Sequence, residues 1–311
     1  MTMFIRKLRP ALILGCLLLA SCNNTSPSAV KRGLQIVAST SILADIAQNV
    51  AGDAVQVAPL LPVGADPHAY AATPADVVKI SESNVLIVNG LEYEHFIEQL
   101  LENADGERTV IVASTGLEPR KIEQHGDEAE GEQEYGAGDP HMWLDPNLVI
   151  SYVDNISDGL IEADPVGAEA YKANADAYIA QLKDLNVWIT EQVSQIPVER
   201  RLLVTNHEAL GYFADRYGFR VVGTVIPSSS SGAETSAQAL AAVIDQIKIT
   251  GAPAIFLGEV ENPTLANQIA AETGITVVED LYLESLTDGP PAGTYIDLMK
   301  YNVSKIVEAL K

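Results

Sequence analysis

Short apolar runs and longer stretches of helical period alternate along most of this chain. Residues 34–38 read as a buried strand, and Ser41 stands where it would cap a helix over residues 42–50. Residues 55–61 form the next strand. Thr73-Pro74 opens a helix, with threonine as N-cap and proline at the first position, where no N–H is needed. Strands over residues 84–88 and 109–112 flank a helix over residues 94–102. This alternation predicts a parallel sheet with helices on both faces.

The pattern breaks between Lys121 and Gly138. That segment is charged, almost free of large apolar residues, and reads as a surface loop; it carries His125. Helices follow from Asp145. The longest spans residues 165–194, where Tyr171, Ala175, Tyr178, Leu182, Leu185 and Trp188 step by three or four and make one apolar face. Some thirty helical residues reach about 45 Å, enough to run across two lobes. Alternation then resumes, with strands over residues 201–204, 221–225, 254–257 and 275–278. Helices are predicted over residues 208–217, 236–249, 265–273 and 296–310.

The two alternating halves echo each other weakly. The strand ending at Pro62 leads through a loop to the Thr73 helix and the Val85 strand. The run from Val221 to Pro227 leads likewise to the Ser236 helix and the Ile255 strand. The expectation is two related α/β lobes, residues 34–162 and 196–311, joined by a long helix over residues 163–195.

The N-terminus changes the picture. Arg6, Lys7 and Arg9 precede an apolar stretch over residues 11–20 that is too short to span a bilayer. It ends in Leu19-Ala20-Ser21-Cys22, which resembles a bacterial lipobox. Residues 1–21 are therefore expected to be a lipoprotein signal, with Cys22 the lipid-bearing residue of the mature chain and residues 22–33 a tether. The mature chain keeps only one of the two cysteines, which excludes an internal disulfide and a multi-thiolate metal site. The formal net charge is −23, and the segment removed is positive. Such a surface repels nucleic acid and attracts cations.

Candidate chemistry lies in the histidines. Three of the five sit in Asp66-Pro67-His68, Asp139-Pro140-His141 and Asn206-His207-Glu208, each at a strand end or helix start. Asp280 closes the apolar run that begins at Ile275. In α/β sheets, ligands bind outside the carboxyl ends of strands. Two candidates come from each half, which puts a metal held by His68, His141, His207 and Asp280 between the lobes. His95 reads as a solvated helix residue beside Glu94 and Glu98, and His125 as part of the acidic loop.

Three segments carry a family resemblance. They are Gly64-Ala65-Asp66-Pro67-His68-Ala69-Tyr70, Asp139-Pro140-His141-Met142-Trp143-Leu144-Asp145-Pro146 and Asn206-His207-Glu208-Ala209-Leu210-Gly211-Tyr212-Phe213. In order and spacing they resemble the signature segments of the zinc/manganese ABC-transporter solute-binding lipoproteins, over nearly all of the mature chain. The resemblance implies two Rossmann-like lobes, a rigid connecting helix and one buried divalent metal in the cleft between them. It also implies an ABC-transporter permease as partner, a monomeric carrier, and a lipid-anchored place outside the cytoplasm.

Manganese-binding members of that family usually have a glutamate where His207 stands. Three imidazoles with one carboxylate favour Zn2+, with Mn2+ the alternative. The loop before the second histidine is often histidine-rich in zinc-binding members, whereas here it is acidic. Two readings of other kinds compete. One is a secreted zinc hydrolase with Glu208 as general base, although no His-Glu-x-x-His helix is present. The other is a surface adhesin that the metal only stabilises.

Overall fold

The pleat sorts the strand residues of each half into two opposed apolar faces, and two parallel four-stranded sheets result. The computed structural model describes residues 33–121, 138–226, 228 and 235–311. The predicted signal, Cys22 and nearly all of the tether lie outside the described residues. So does most of the acidic segment, His125 included.

The first half runs β1 (Ile36–Ala38), α1 (Ser41–Ala51), β2 (Val57–Pro59), α2 (Pro74–Ser81), β3 (Val85–Val88), α3 (Phe96–Asn103), β4 (Thr109–Val112) and α4 (Pro146–Ala163). α5 (Ala168–Val193) follows. The second half runs β5 (Leu202–Thr205), α6 (Gly211–Tyr217), β6 (Arg220–Thr224), α7 (Ala237–Thr250), β7 (Ala254–Gly258), α8 (Thr264–Thr273), β8 (Thr276–Leu281) and α9 (Tyr295–Leu310). The sheet orders are β2-β1-β3-β4 and β6-β5-β7-β8, and every pairing is parallel. The halves thus share one topology, which is the architectural form of the sequence echo.

Strand alternation explains the layering. Ile36, Ala38, Val85 and Ile87 face one way, and Val37, Leu86 and Val88 the other. In the second sheet Leu203, Ala254 and Phe256 oppose Leu202, Val204, Ile255 and Leu257. The inner faces of both sheets belong to one continuous core that also takes in Tyr178, Leu182 and Leu185 of α5 and Leu298 and Met299 of α9. Each outer face has a separate core of its own, under α2 and α3 in one half and α7 and α8 in the other. Shared burial on this scale resists parting of the lobes, since each large aliphatic side chain contributes about 1.5–3 kcal/mol.

α5 covers 26 residues, about 39 Å at the usual rise. It buries Tyr171, Ala175, Tyr178, Leu182, Leu185, Ile189 and Val193. It packs against α1 and α4 of the first half and α9 of the second. The predicted start at residue 165 falls instead in a 3-10 turn over Pro165–Gly167, where the Tyr171 ring leaves no room for a β-carbon on Gly167.

The cap holds as predicted at Thr73, whose hydroxyl and backbone N–H both bond Asp76; Ser236, expected as the first residue of its helix, is instead the cap and accepts from Ala239 N at 3.0 Å. At α1 the cap is Thr40, which accepts from Leu43 N at 3.2 Å. Ser41 lies inside the helix and bonds across to the second half, accepting from Leu286 N at 2.9 Å. Among the described residues, no helix is long and apolar enough to cross a membrane.

Candidate metal centre

The carboxyl ends of both sheets meet, and four side chains converge where they do. His68 follows β2. Its approach bends at Gly64, whose φ of 76° suits glycine, and Asp66 Oδ1 accepts from His68 N at 2.9 Å. His141 precedes the 3-10 turn Met142–Leu144. Asp139 Oδ1 takes both its backbone N–H, at 3.0 Å, and its ring Nδ1, at 2.8 Å. His207 follows β5, and its Nδ1 bonds Glu261. A carboxylate on Nδ1 fixes the tautomer that keeps the proton there and turns the Nε2 lone pair inward.

The fourth member is Glu284. The candidate ligand atoms of His68, His141, His207 and Glu284 all lie within 4.8 Å of one another. Glu284 Oε1 is 3.7, 3.4 and 3.3 Å from the Nε2 atoms of His68, His141 and His207. A tetrahedron with bonds of about 2.0–2.1 Å has edges of about 3.3–3.4 Å, which the three Glu284 distances approach. All three Nε2 atoms and Glu284 Oε1 are buried without a hydrogen-bond partner. Unsatisfied atoms of this kind are rare, and four aimed at one point fit a divalent cation.

Electrostatics agree. Burial pushes His207 toward the neutral form, but Glu261 and Glu284 outweigh it and carry the ring up to about 10. His141 is raised in the same way, with Asp139 and Glu284 overcoming burial. Burial would raise Glu284, yet the facing histidines hold it well below the usual carboxylate range. The carboxylates around these rings therefore favour positive charge at the cluster, which a divalent cation would supply.

Asp280 is the correction. It is exposed, has a φ of 64°, and belongs to β8 rather than to the loop beyond it. The pairing of β7 with β8 slips in register between Phe256 and Gly258, so the strand runs on to Leu281. The chain then turns inward and presents Glu284. Glu259 holds that turn, with its carboxylate accepting from Leu283 N at 2.8 Å, Glu284 N at 3.1 Å and Ser285 N at 2.7 Å. Burial pushes Glu259 up to about 7 against the lowering effect of the Leu283 bond. Trp143 Nε1 donates to Leu283 O at 2.8 Å from the other lobe.

His95 is exposed just ahead of α3, as expected of a solvated residue. Its neighbour Glu94 is not solvated. It is buried and accepts from Ser39 Oγ and Asn89 N, both at 2.6 Å. Glu208 is also buried and accepts from Thr224 Oγ1 at 3.0 Å, and it is not a member of the converging cluster. Sequence reasoning missed Tyr93, Glu259, Glu261 and Glu284. The aspartates two residues before His68 and His141 were the local signals of an orienting carboxylate.

A pocket of this kind suits a protein that carries a cation, and a solved structure has the same form. The chain matches the periplasmic zinc binding protein TroA from Treponema pallidum with a TM-score of 0.77 and 27% identity, over 89% of its own length and 99% of that chain. The class is that of the metal-binding substrate-binding proteins of ABC importers. Within it, residues 36–309 match the family described as "ZnuA: Zinc-uptake complex component A periplasmic", and the chain belongs to that family.

It is 36% identical to the manganese-binding lipoprotein MntA of Halalkalibacterium halodurans, over 94% of this chain and 95% of that one. It is 32% identical to the iron-binding protein YfeA of Yersinia pestis, over 93% and 90%. The relatives and structural neighbours are solute-binding proteins, not enzymes, and the hydrolase alternative has no support.

Proposed function

We propose that this chain captures Zn2+ outside the cytoplasm and delivers it to the permease of an ABC importer, binding the ion through His68, His141, His207 and Glu284. The observation that carries the reading is the donor set: three unpartnered imidazole nitrogens and one unpartnered carboxylate oxygen, all facing one point. Nitrogen-rich fourfold sites suit zinc, whereas manganese takes more oxygen. The burial of the cluster supports a carrier that encloses its ion over exchange at an open surface. Cys22 is the lipid-bearing residue in this reading, and the carrier works as a monomer tethered to the membrane. The lipoprotein name of the 36% identical relative supports the anchor.

Manganese is the second reading, favoured by that relative's name. Elemental analysis of the protein extracted from membranes, with competitive titration of zinc and manganese, separates the two. One equivalent of zinc, held well over tenfold more tightly than manganese, is expected. Preference for manganese would overturn the assignment. Mass spectrometry of the same preparation should show an acylated Cys22 at the N-terminus, and an unmodified or differently cleaved terminus would refute the anchor.

A further inference from the structure

Glu284 has two carboxylate oxygens, and the protein treats them differently. Oε1 faces the three histidine nitrogens and has no hydrogen-bond partner. Oε2 accepts the Tyr93 hydroxyl at 2.6 Å. A glutamate can offer a cation one oxygen or both, and the choice alters the coordination number. A buried phenol–carboxylate hydrogen bond is charge-assisted and short, so Oε2 is not readily given up.

Tyr93 is itself fixed. Its side chain is buried, with the ring edge-on to His68 at 5.2 Å between centroids and tilted against Trp143 at 4.8 Å. The loop that presents it passes through Leu91 and Glu92 in the left-handed region, at φ 57° and 58°. Two consecutive non-glycine residues in that region persist only where their surroundings overdetermine them. Here the surroundings include the buried Glu94 carboxylate, which collects Ser39 Oγ, Asn89 N and Gly90 N. The loop is thus built to aim one hydroxyl at one oxygen.

We propose that Tyr93 sets metal specificity by holding Glu284 to a single coordinating oxygen. With Oε2 occupied, the protein offers three nitrogens and one oxygen, a fourfold set that zinc accepts. Cations that want a larger, oxygen-rich sphere are penalised. Tyr93 is a positioning residue, since it touches the ligand and not the ion. The inference rests on the reading that these four side chains bind the cation.

Tyr93→Phe tests it, because the ring packing is kept and only the hydroxyl is lost. Full-length protein and variant are loaded with Co2+, and their visible ligand-field spectra are compared. Zinc and manganese dissociation constants are measured alongside. The wild type should show the intense bands of a tetrahedral site. The variant should show the weaker bands of higher coordination, with the preference for zinc over manganese reduced about tenfold. A variant spectrum that superimposes on the wild type overturns the proposal, even if affinity falls for every metal alike, since that is what loss of packing would do.

If Tyr93→Phe does not fold, infrared difference spectra of the zinc-loaded wild type decide. Widely split carboxylate stretches, as for one-oxygen coordination, support the proposal, and the narrow splitting of two-oxygen coordination refutes it. A wild type that binds neither cobalt nor zinc would instead refute the function proposed above.

Discussion

The two halves of the cluster are assembled by different means. In the first half, each histidine follows an Asp-Pro pair, and the aspartate two residues earlier bonds the histidine N–H in both cases. The ligand carries much of its own scaffold with it in sequence. In the second half the local hold is slighter, a Thr205 hydroxyl on the His207 carbonyl at 2.8 Å, and the orienting carboxylates come from far along the chain. His207 depends on Glu261, 54 residues away, and the segment around Glu284 depends on Glu259, about 25 residues away. Both carboxylates come from the single turn after β7, so one short stretch of chain orients two ligands. The first half is built from local turns, and the second from one shared turn reached through the sheet.

The largest expected effect tests whether Glu284 belongs to the second half as described. Glu284→Ala should weaken zinc binding well beyond the roughly 10- to 100-fold that loss of an outer-sphere partner causes. Asp280→Asn and His95→Ala should stay within about twofold. Competition against a chelator measures all three, and a large loss in Asp280→Asn would restore that residue to the site.

The next effect probes the shared turn. Glu261→Gln and Asp139→Asn should each cost roughly 10- to 100-fold in zinc affinity through loss of ring orientation. Glu259→Gln paired with Glu261→Gln should depart from additivity by about 0.5–3 kcal/mol, because the two side chains share a turn. Glu259→Gln paired with Asp139→Asn, on opposite halves, should add to within about 0.5 kcal/mol. Double-mutant cycles read from zinc dissociation constants give both, and equal coupling in the two pairs would erase the contrast.

The last effect, on stability and not on zinc affinity, concerns the junction of the halves. Asp45 of α1 accepts from Tyr295 N, at the start of α9, at 2.9 Å. Burial pushes its carboxyl from 3.8 up to about 6, against that bond and with help from Asp297. The folded pKa is raised, so the stability Asp45 contributes is complete below about 4 and is lost as pH rises through about 6. Asp45→Asn keeps an acceptor and removes the charge. It should match the wild type near pH 4 and exceed it near pH 7.5 by up to about 3 kcal/mol. Denaturant melts at the two pH values check this, and equal stabilities at pH 7.5 would show that the junction tolerates the ionised carboxylate.

Much of the fold was legible along the chain because strand alternation and helical period are local consequences of burial. The runs around Ile36, Val85, Leu203 and Ile255 all became strands, and the face from Tyr171 to Leu185 became the buried side of α5. Errors gathered at ends. Ser41 and Thr40 are equally good caps by chemistry, and only the demand of Leu286 N for a partner across the lobes distinguishes them. Glu94, beside the solvated His95, is buried by Asn89 N and Gly90 N from the loop just before it and by Ser39 Oγ from 55 residues away, and only the last contact lies beyond any local window.

The sequence by itself determined the repeated α/β plan and the three histidines, because period, turn residues and the Asp-Pro-His triplets act over a few neighbours. Only the tertiary structure decided which acid completes the cluster. Asp280 and Glu284 lie four residues apart at the end of the same strand, and their local surroundings do not separate them. A register slip between β7 and β8 leaves Asp280 in solvent, and three backbone bonds to Glu259 turn Glu284 inward. Tyr93 then takes one of its oxygens from 191 residues away. Contacts over such separations arise from the packing of whole sheets against each other, which no window along the chain contains.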